Sequence, residues 1–184
     1  MSKTISNSNG STGLKTLCRT AIFLALLIAV QFVTRSMGQY VTGSLVNLIL
    51  IASGLMCGLW GGLAVAVLSP ACAFFIGIGP AFPQVVPAVA LGNAVLVLLW
   101  VLIAGAKEAS LSRRLMALVA AAVAKFLTLY LVIVKWLVPM VLTLNEKQTA
   151  VLSASFSFPQ LITAAIGGVL ALMVVPPLRR ALKV

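Results

Sequence analysis

The stretch TGSLVNLILIASGLMCGLWGGLAVAVLSP, from Thr42 to Pro70, decides the fold. It joins two apolar runs, about Val41 to Cys57 and Leu63 to Ile76, through the small-residue cluster CGLWGG. Glycines in such a cluster allow a tight reversal of the chain, so we predict two membrane-spanning helices connected by a short turn. Pro70 lies inside the second run, where membrane helices tolerate proline and usually kink.

The rest of the chain has the same apolar character. Of its 184 residues, 62% are hydrophobic and 8% are charged, and the mean hydropathy is +1.19. Soluble domains are nearer half apolar and a quarter charged. Because one crossing takes roughly 20 residues, the apolar residues suffice for five or six spans. We expect an all-α integral membrane protein with six transmembrane helices. The other four apolar runs are Leu17–Val33, Ala88–Ala104, Leu115–Leu144 and Ala150–Val175.

Glycine and proline predict where several runs end. The segment GIGPAFPQVVP, Gly77 to Pro87, cannot continue a helix and predicts a surface or re-entrant loop. The fifth run, Leu115 to Leu144, is longer than one crossing requires, so we expect it to tilt strongly or to leave the membrane near Pro139. Pro176 and Pro177 are expected to end the last run.

Positive charges are distributed unevenly between the two sides. With a cytoplasmic N-terminus, nine Lys and Arg residues fall on the inner side, Arg35 and Lys147 fall on the outer side, and Lys125 and Lys135 lie within a span. The positive-inside rule then predicts that both termini are cytoplasmic, in a prokaryotic plasma membrane. We expect a disordered cytoplasmic segment at 1–14, which is rich in Ser, Asn and Gly, and a single six-helix membrane domain at 15–184. The nine inner cations are Lys3, Lys15, Arg19, Lys107, Arg113, Arg114, Arg179, Arg180 and Lys183.

The sequence lacks most of the side chains that catalytic sites require. The sequence has no histidine, and its only acidic residues are Glu108 and Glu146, so catalytic triads, carboxylate pairs and metal clusters lack their residues. Cys18, Cys57 and Cys72 share no short spacing. The basic surface interleaved with aromatic residues that binds nucleic acid is missing. We therefore expect no enzyme, no cofactor, no metal and no nucleic-acid partner; the surroundings are membrane lipid.

Polar side chains within the apolar runs are the candidate functional residues, because leaving them unpaired in hydrocarbon is costly. Lys125 lies near the midplane, about 15 Å from the cytoplasmic end of its helix at 1.5 Å per residue, and intramembrane charges are functional candidates. Helical spacing places Lys125, Thr128 and Trp136 on one stripe, so that the ammonium and the indole line the same cavity. With Gln84 of the Gly/Pro loop, the predicted substrate-binding residues are Asn47, Gln84, Asn93, Lys125, Thr128, Trp136 and Gln160.

Both intramembrane lysines have structural alternatives. Lys125 is alternatively a cation that caps carbonyls of a broken helix, and Lys135, which falls off the stripe, can snorkel to the outer surface. Neither lysine has a carboxylate partner at membrane depth. Because carriers driven by ion gradients usually use acidic groups there, their absence argues against such a carrier. The polar loops and helix ends on the outer side predict a cavity for a small molecule.

The first apolar run carries Ala21, Ala25 and Ala29, each four residues apart. In a helix these residues stack on one face, where another helix can approach closely. The alternative is a chance spacing in an alanine-rich chain.

Four features taken together resemble a known family. They are the alanine face, the predicted six helices with cytoplasmic ends, the segment Thr42–Pro70 and the segment PQVVPAVALGN at Pro83–Asn93. The chain is similar to the substrate-binding S components of energy-coupling factor (ECF) transporters of vitamins. The resemblance implies a subunit that captures a vitamin or related micronutrient outside the cell. A membrane coupling subunit and two cytoplasmic ATPase subunits of the same ABC importer would drive release.

By the same resemblance, Ala21, Ala25 and Ala29 would dock on the coupling subunit, and the loop after the first helix would act as a gate. The sequence has no G-x-x-x-x-G-K-[ST] motif for ATP, which fits this division of labour. Two other functions stay open, a non-transporting membrane scaffold or regulatory subunit and a small ion-coupled carrier. The ligand also stays open among cobalamin, a queuosine precursor, pyridoxine-like compounds and others, with Lys125 favouring an anionic or carbonyl-rich group.

Overall fold

The computed structural model describes residues 8–105 and 109–182, and within this part of the chain all regular structure is helical. A 3-10 turn at Arg35–Met37 follows the first helix, and a π-helical segment at Tyr130–Leu137 continues the fourth. The α-helices are α1 Ser8–Thr34, α2 Gln39–Phe75, α3 Val85–Ala104, α4 Leu111–Leu129, α5 Val138–Met140, α6 Glu146–Ser155 and α7 Phe158–Leu182.

Five helical stretches are long and apolar enough to cross a membrane. Each carries at least one 18-residue window of high mean hydropathy with at most two charged residues. This confirms the prediction of an all-helical chain, and the length and apolar character of these stretches are those that a helix needs to cross a bilayer. The stretches are Gly13–Met37, Gln39–Phe75, Val85–Ala104, Leu111–Met140 and Glu146–Leu182.

Helix α2 reverses direction at Gly58, as the CGLWGG cluster predicts. Gly58 has φ 78° and ψ 176°, a conformation that residues with a Cβ rarely adopt. A Cβ built on Gly62 would collide with Cα of Gly54, although residues eight apart in a straight helix are about 12 Å apart. Segments 39–57 and 59–75 are therefore the two arms of a helical hairpin in contact at these glycines.

The hairpin is the centre of the bundle, and α1, α3 and α7 all pack against it. Val97 of α3 contacts the hairpin at its closest point, since its Cγ1 lies 2.8 Å from the ideal Cβ positions of both Gly54 and Gly62. Helix α4 packs against α3 and α7. A larger apolar core around Leu50, Ile51, Val65, Leu96 and Trp100 fills the space between these helices.

The bundle has two ends, the Gly58 end and the cavity end. At the Gly58 end, Thr20 of α1 contacts Gly61, and the guanidinium of Arg179 in α7 donates to the carbonyl of Leu55. The N-terminal part of α1 and the C-terminal part of α7 therefore lie at the same end. At the opposite end, the cavity end, a smaller apolar cluster of residues from α3, the π-helical segment and α6 surrounds Ile133.

Three details differ from the sequence expectations. Helix α1 begins at Ser8, so residues 8–14 of the segment that we expect to be disordered are helical. Residues 1–7, which include Lys3, lie outside the described part of the chain, as do Lys107, Glu108 and Lys183. Helix α7 continues through Pro176 and Pro177 to Leu182, with Val175 packed in the core before the prolines and Arg179 bonded to the carbonyls of Leu55 and Gly105 after them.

The last apolar run is two helices rather than one interrupted span. Helix α6 ends at Ser155 and α7 begins at Phe158, since Pro159 has no N–H to donate to the carbonyl of Ser155 four residues earlier. The side-chain amides of Gln39 and Gln160 donate to that carbonyl instead, at 2.6 and 3.2 Å. The fifth run ends at Met140, directly after Pro139.

Candidate functional site

A polar cavity with a volume of about 320 Å³ lies at the cavity end. Both arms of the α2 hairpin, α3 and α4 form its walls, and the 3-10 turn and the loop between α2 and α3 contribute to its mouth. Its polar lining residues are Gln31, Arg35, Gln39, Thr42, Asn47, Ser69, Asn93, Lys125 and Gln160.

A buried lysine cluster forms the deep part of this cavity. The ammonium of Lys125 donates to Oδ1 of Asn47 at 2.6 Å and to Oδ1 of Asn93 at 2.7 Å. The three residues come from α4, the first arm of α2 and α3, and their side chains are only 3%, 1% and 4% exposed. Two amide oxygens thus stabilise a charge that burial would otherwise destabilise strongly.

Helix α7 completes the cluster through Thr163. Nδ2 of Asn47 donates to Oγ1 of Thr163 at 3.4 Å, and Oγ1 of Thr163 donates to the carbonyl of Gln160 at 3.2 Å. The helices approach closely here, since a Cβ on Gly167 would lie 2.5 Å from Cβ of Asn47. The amide of Asn47 is therefore fixed in orientation, with its oxygen directed to Lys125.

Two polar atoms near the cavity have no partner among the described residues. These are Oγ of Ser69 and Oε1 of Gln31, both inaccessible to solvent. Ser69 is 1% exposed and directly precedes Pro70 on the second arm of α2, while Gln31 lies near the end of α1. Both residues line the cavity, and an unpaired buried polar atom is unfavourable until something bonds to it.

The mouth of the cavity is made of turns rather than of regular helix. The backbone N–H groups of Ile78 and Gly79 both donate to the carbonyl of Ala73 at 2.9 Å, which folds the α2–α3 loop back over the helix end. Arg35 also lines the cavity, with its guanidinium 4.7 Å from the centre of the Phe32 ring. The lining therefore includes a second cation besides Lys125.

Four of the seven predicted substrate-binding residues line the cavity, namely Asn47, Asn93, Lys125 and Gln160. The partners of Lys125 are side-chain amides, so the alternative of a cation that caps main-chain carbonyls does not describe its geometry. Sequence reasoning missed the other five polar lining residues, Gln31, Arg35, Gln39, Thr42 and Ser69. A single Ser or Gln in an apolar run is common, and only its lack of a helical partner in the folded chain distinguishes it.

The other three predicted residues lie off the cavity wall. Gln84 is exposed at the start of α3, and the hydroxyl of Thr128 donates to the carbonyl of Ala124 at 2.8 Å within its own helix. Trp136 is 58% exposed. The predicted stripe joining Trp136 to Lys125 is wrong in geometry, because residues 130–137 form a π-helix and its wider turns change the angular spacing.

Lys135 and the alanine face both point away from the core. Lys135 is exposed, and its ammonium lies 5.6 Å from the centre of the Tyr130 ring. Ala21, Ala25 and Ala29 are all exposed along α1, as are the larger side chains of Leu17, Ile22 and Leu26 beside them. A long face of α1 is thus free of contacts within the described chain.

The sequence profile of one family, described as ECF transporter, substrate-specific component, matches residues 15–179. The chain belongs to this family. The match includes every residue that lines the cavity, so the lysine cluster is part of an S component. S components are membrane subunits that bind substrate and are not enzymes. No curated protein sequence and no solved structure shows significant similarity to the chain.

Proposed function

We propose that this S component captures a vitamin or related micronutrient in the cavity around Lys125, and that a coupling subunit with two cytoplasmic ATPase subunits supplies the energy for its release. The observation that carries the proposal is the buried ammonium of Lys125, held by Asn47 and Asn93 at the base of an open cavity. Polar groups fixed in this way in an apolar wall provide orientation and specificity for a small ligand.

We further propose six membrane crossings, with both termini in the cytoplasm and the cavity opening outward from a prokaryotic plasma membrane. The reversal at Gly58 supports this count, since it turns α2 into two antiparallel arms. The N-terminal part of α1 and the C-terminal part of α7 both lie at the Gly58 end, which supports an even number of crossings. Arg113, Arg114, Arg179 and Arg180 cluster towards that end, as the positive-inside rule requires of a cytoplasmic side.

The exposed face of α1 is the proposed docking surface for the coupling subunit. Methyl side chains at Ala21, Ala25 and Ala29 allow a partner helix to approach closely. The face is continuous with exposed leucines and isoleucine, so lipid solvates it when the S component is alone.

Direct ligand binding tests the proposal. The purified chain, without ATP and without an ion gradient, is titrated with water-soluble vitamins by calorimetry, and native mass spectrometry identifies any ligand retained through purification. We expect tight binding of one compound and its loss in Lys125→Met. Absence of any bound or retained ligand, with no co-purifying coupling subunit, would favour the scaffold role instead.

The ion-coupled carrier has the least support. Among residues 8–105 and 109–182, the one acidic side chain is that of Glu146, which is exposed at the start of α6. Transport of a ligand into vesicles that contain this chain alone, without a coupling module, would contradict the S-component mechanism.

A further inference from the structure

We infer that the cavity takes a small monoanionic ligand. Its carboxylate or equivalent acceptor bonds to the ammonium of Lys125 and the hydroxyl of Ser69, and an N–H or O–H group of the ligand donates to Oε1 of Gln31. This inference rests on the proposed function, because it treats the cavity as the substrate site. Beyond the proposed function, it specifies the charge, the size and the hydrogen-bonding groups of the substrate.

The first argument is the uncompensated charge of Lys125. Its two partners, Asn47 and Asn93, are neutral amides, and the acidic residue of the described chain, Glu146, is exposed on another helix. Arg35, the other cation of the lining, is exposed, so water solvates its charge and Lys125 is the buried cation that lacks a counterion. An ammonium has three N–H donors, so one stays without a partner among the described residues. A buried charge is most stable when it is paired with an opposite charge, and an anionic ligand would supply that pair.

The second argument is the pair of unsatisfied atoms beside the cavity. Oγ of Ser69 can donate and accept, whereas Oε1 of Gln31 can only accept. A ligand that presents an acceptor to Ser69 and a donor to Gln31 satisfies both. The amide nitrogens of Gln39 and Gln160 are already used, because both donate to the carbonyl of Ser155.

The third argument is size. The cavity has a volume of about 320 Å³. It lies at the lower end of the range for small-molecule sites. A single ring with a short acidic chain, or a branched acidic chain, fits this space, whereas a corrin does not. Cobalamin is therefore not the expected substrate.

Matched pairs of acids and uncharged analogues test the inference on the purified full-length chain. The probes are nicotinic acid against nicotinamide, pantothenic acid against panthenol, and biotin against biotinamide, measured by calorimetry and thermal unfolding. We expect at least one acid to bind, with its uncharged analogue at least about tenfold weaker, since the bond from Lys125 then goes to a neutral acceptor instead of a carboxylate. Equal affinity for an acid and its analogue would overturn the inference.

Paired variants separate binding from folding. Ser69→Ala should leave the ligand-free unfolding temperature unchanged or raise it, because the hydroxyl has no partner, and should weaken acid binding about three- to tenfold. The matched control is Ser53→Ala, whose hydroxyl donates to the carbonyl of Leu50 away from the cavity. Lys125→Met should abolish the preference for the acid, while Lys135→Met, on the exposed side of the same helix, should keep it.

The ligand retained in native mass spectrometry distinguishes failure of the monoanion inference from failure of the proposed substrate-capture function. A retained neutral or cationic ligand overturns the inference of a monoanion but leaves the substrate-capture function standing. Unchanged acid affinity in both Ser69→Ala and Lys125→Met would also overturn the inference. If no probe binds and no ligand is retained, both the inference and the proposed function fail.

Discussion

The ammonium of Lys125 lies 2.6 Å from Oδ1 of Asn47, which fixes a charge on α4 against the first arm of the α2 hairpin. Because Asn47 in turn donates to Thr163 of α7, the contact joins three helices that are distant in sequence. The same contact gives the cavity its deepest polar group. Stability of the bundle and the ligand recognition that we propose therefore involve one set of side chains.

We predict that Asn93→Asp folds normally, whereas Asn93→Leu is destabilised. The carboxylate can still accept from Lys125 and neutralises its charge, while leucine leaves the ammonium with one partner fewer, at a cost of about 2–4 kcal/mol. Thermal unfolding in detergent checks this, with an expected decrease of several degrees for Asn93→Leu. Binding of an anionic ligand should fall in both variants, since Asp competes for Lys125. An unfolding temperature equal to wild type in Asn93→Leu would contradict the role of the cluster.

A second prediction concerns the reversal at Gly58. Gly58→Ala should cost about 1–3 kcal/mol because φ is 78° there, and Gly62→Ala should cost more, because the added methyl collides with Gly54. Gly13→Ala is the control, since that glycine is helical and a Cβ on it meets nothing within 4 Å. The control should be neutral or stabilising. If all three variants unfold at the same temperature, the hairpin geometry is wrong.

A third prediction concerns Arg179 at the Gly58 end. Its guanidinium donates to the carbonyls of Leu55 and Gly105, so Arg179→Met should destabilise the chain by about 1–3 kcal/mol, as expected when bonds to a charged donor are lost. Arg180→Met removes an exposed arginine one residue later and serves as the control. Detergent unfolding of the two variants side by side makes the comparison. If both variants lower the unfolding temperature equally, the bonds from Arg179 contribute no more to stability than an exposed charge does.

How far the sequence predicts this fold depends on the type of signal. Hydropathy identifies the helices because spanning a bilayer requires long apolar runs, and the glycine cluster around Gly58 predicts the reversal because positive φ favours glycine. Proline alone is a weaker signal. Pro176 and Pro177 do not end α7, since contacts on both sides of them, the packing of Val175 and the bonds from Arg179, hold the helix in the bundle. Pro159 does separate two helices, where glutamine side chains replace the lost bond.

The candidate site also combines residues that the sequence predicts with residues that it does not predict. Asn47, Asn93 and Lys125 are conspicuous in apolar runs, and the structure brings them together. Trp136 was placed by regular helical spacing, which fails where the helix widens into π-turns. Ser69 gives no sequence signal, because serines in membrane helices usually bond to their own backbone. Its lack of a partner is visible only in three dimensions.

A fourth prediction tests the proposed topology. In a background with Cys18, Cys57 and Cys72 replaced by Ala, Lys147→Cys should react with a membrane-impermeant maleimide in intact cells, and Ser112→Cys should react only after the membrane is opened. Both positions are exposed, on α6 and at the start of α4 respectively, so accessibility alone does not separate them. Labelling of Ser112→Cys in intact cells would invert the orientation.

The fifth prediction tests the alanine face of α1. Ala25→Leu should preserve folding and ligand binding, because residue 25 is exposed and contributes nothing to the cavity wall. It should nevertheless abolish co-purification with the coupling subunit, since the longer side chain keeps the partner helix at a distance. Ala150→Leu, the same change at an exposed site on α6, should leave co-purification intact. If both variants retain the coupling subunit, docking takes place elsewhere; if both lose it, the effect is not specific to the alanine face.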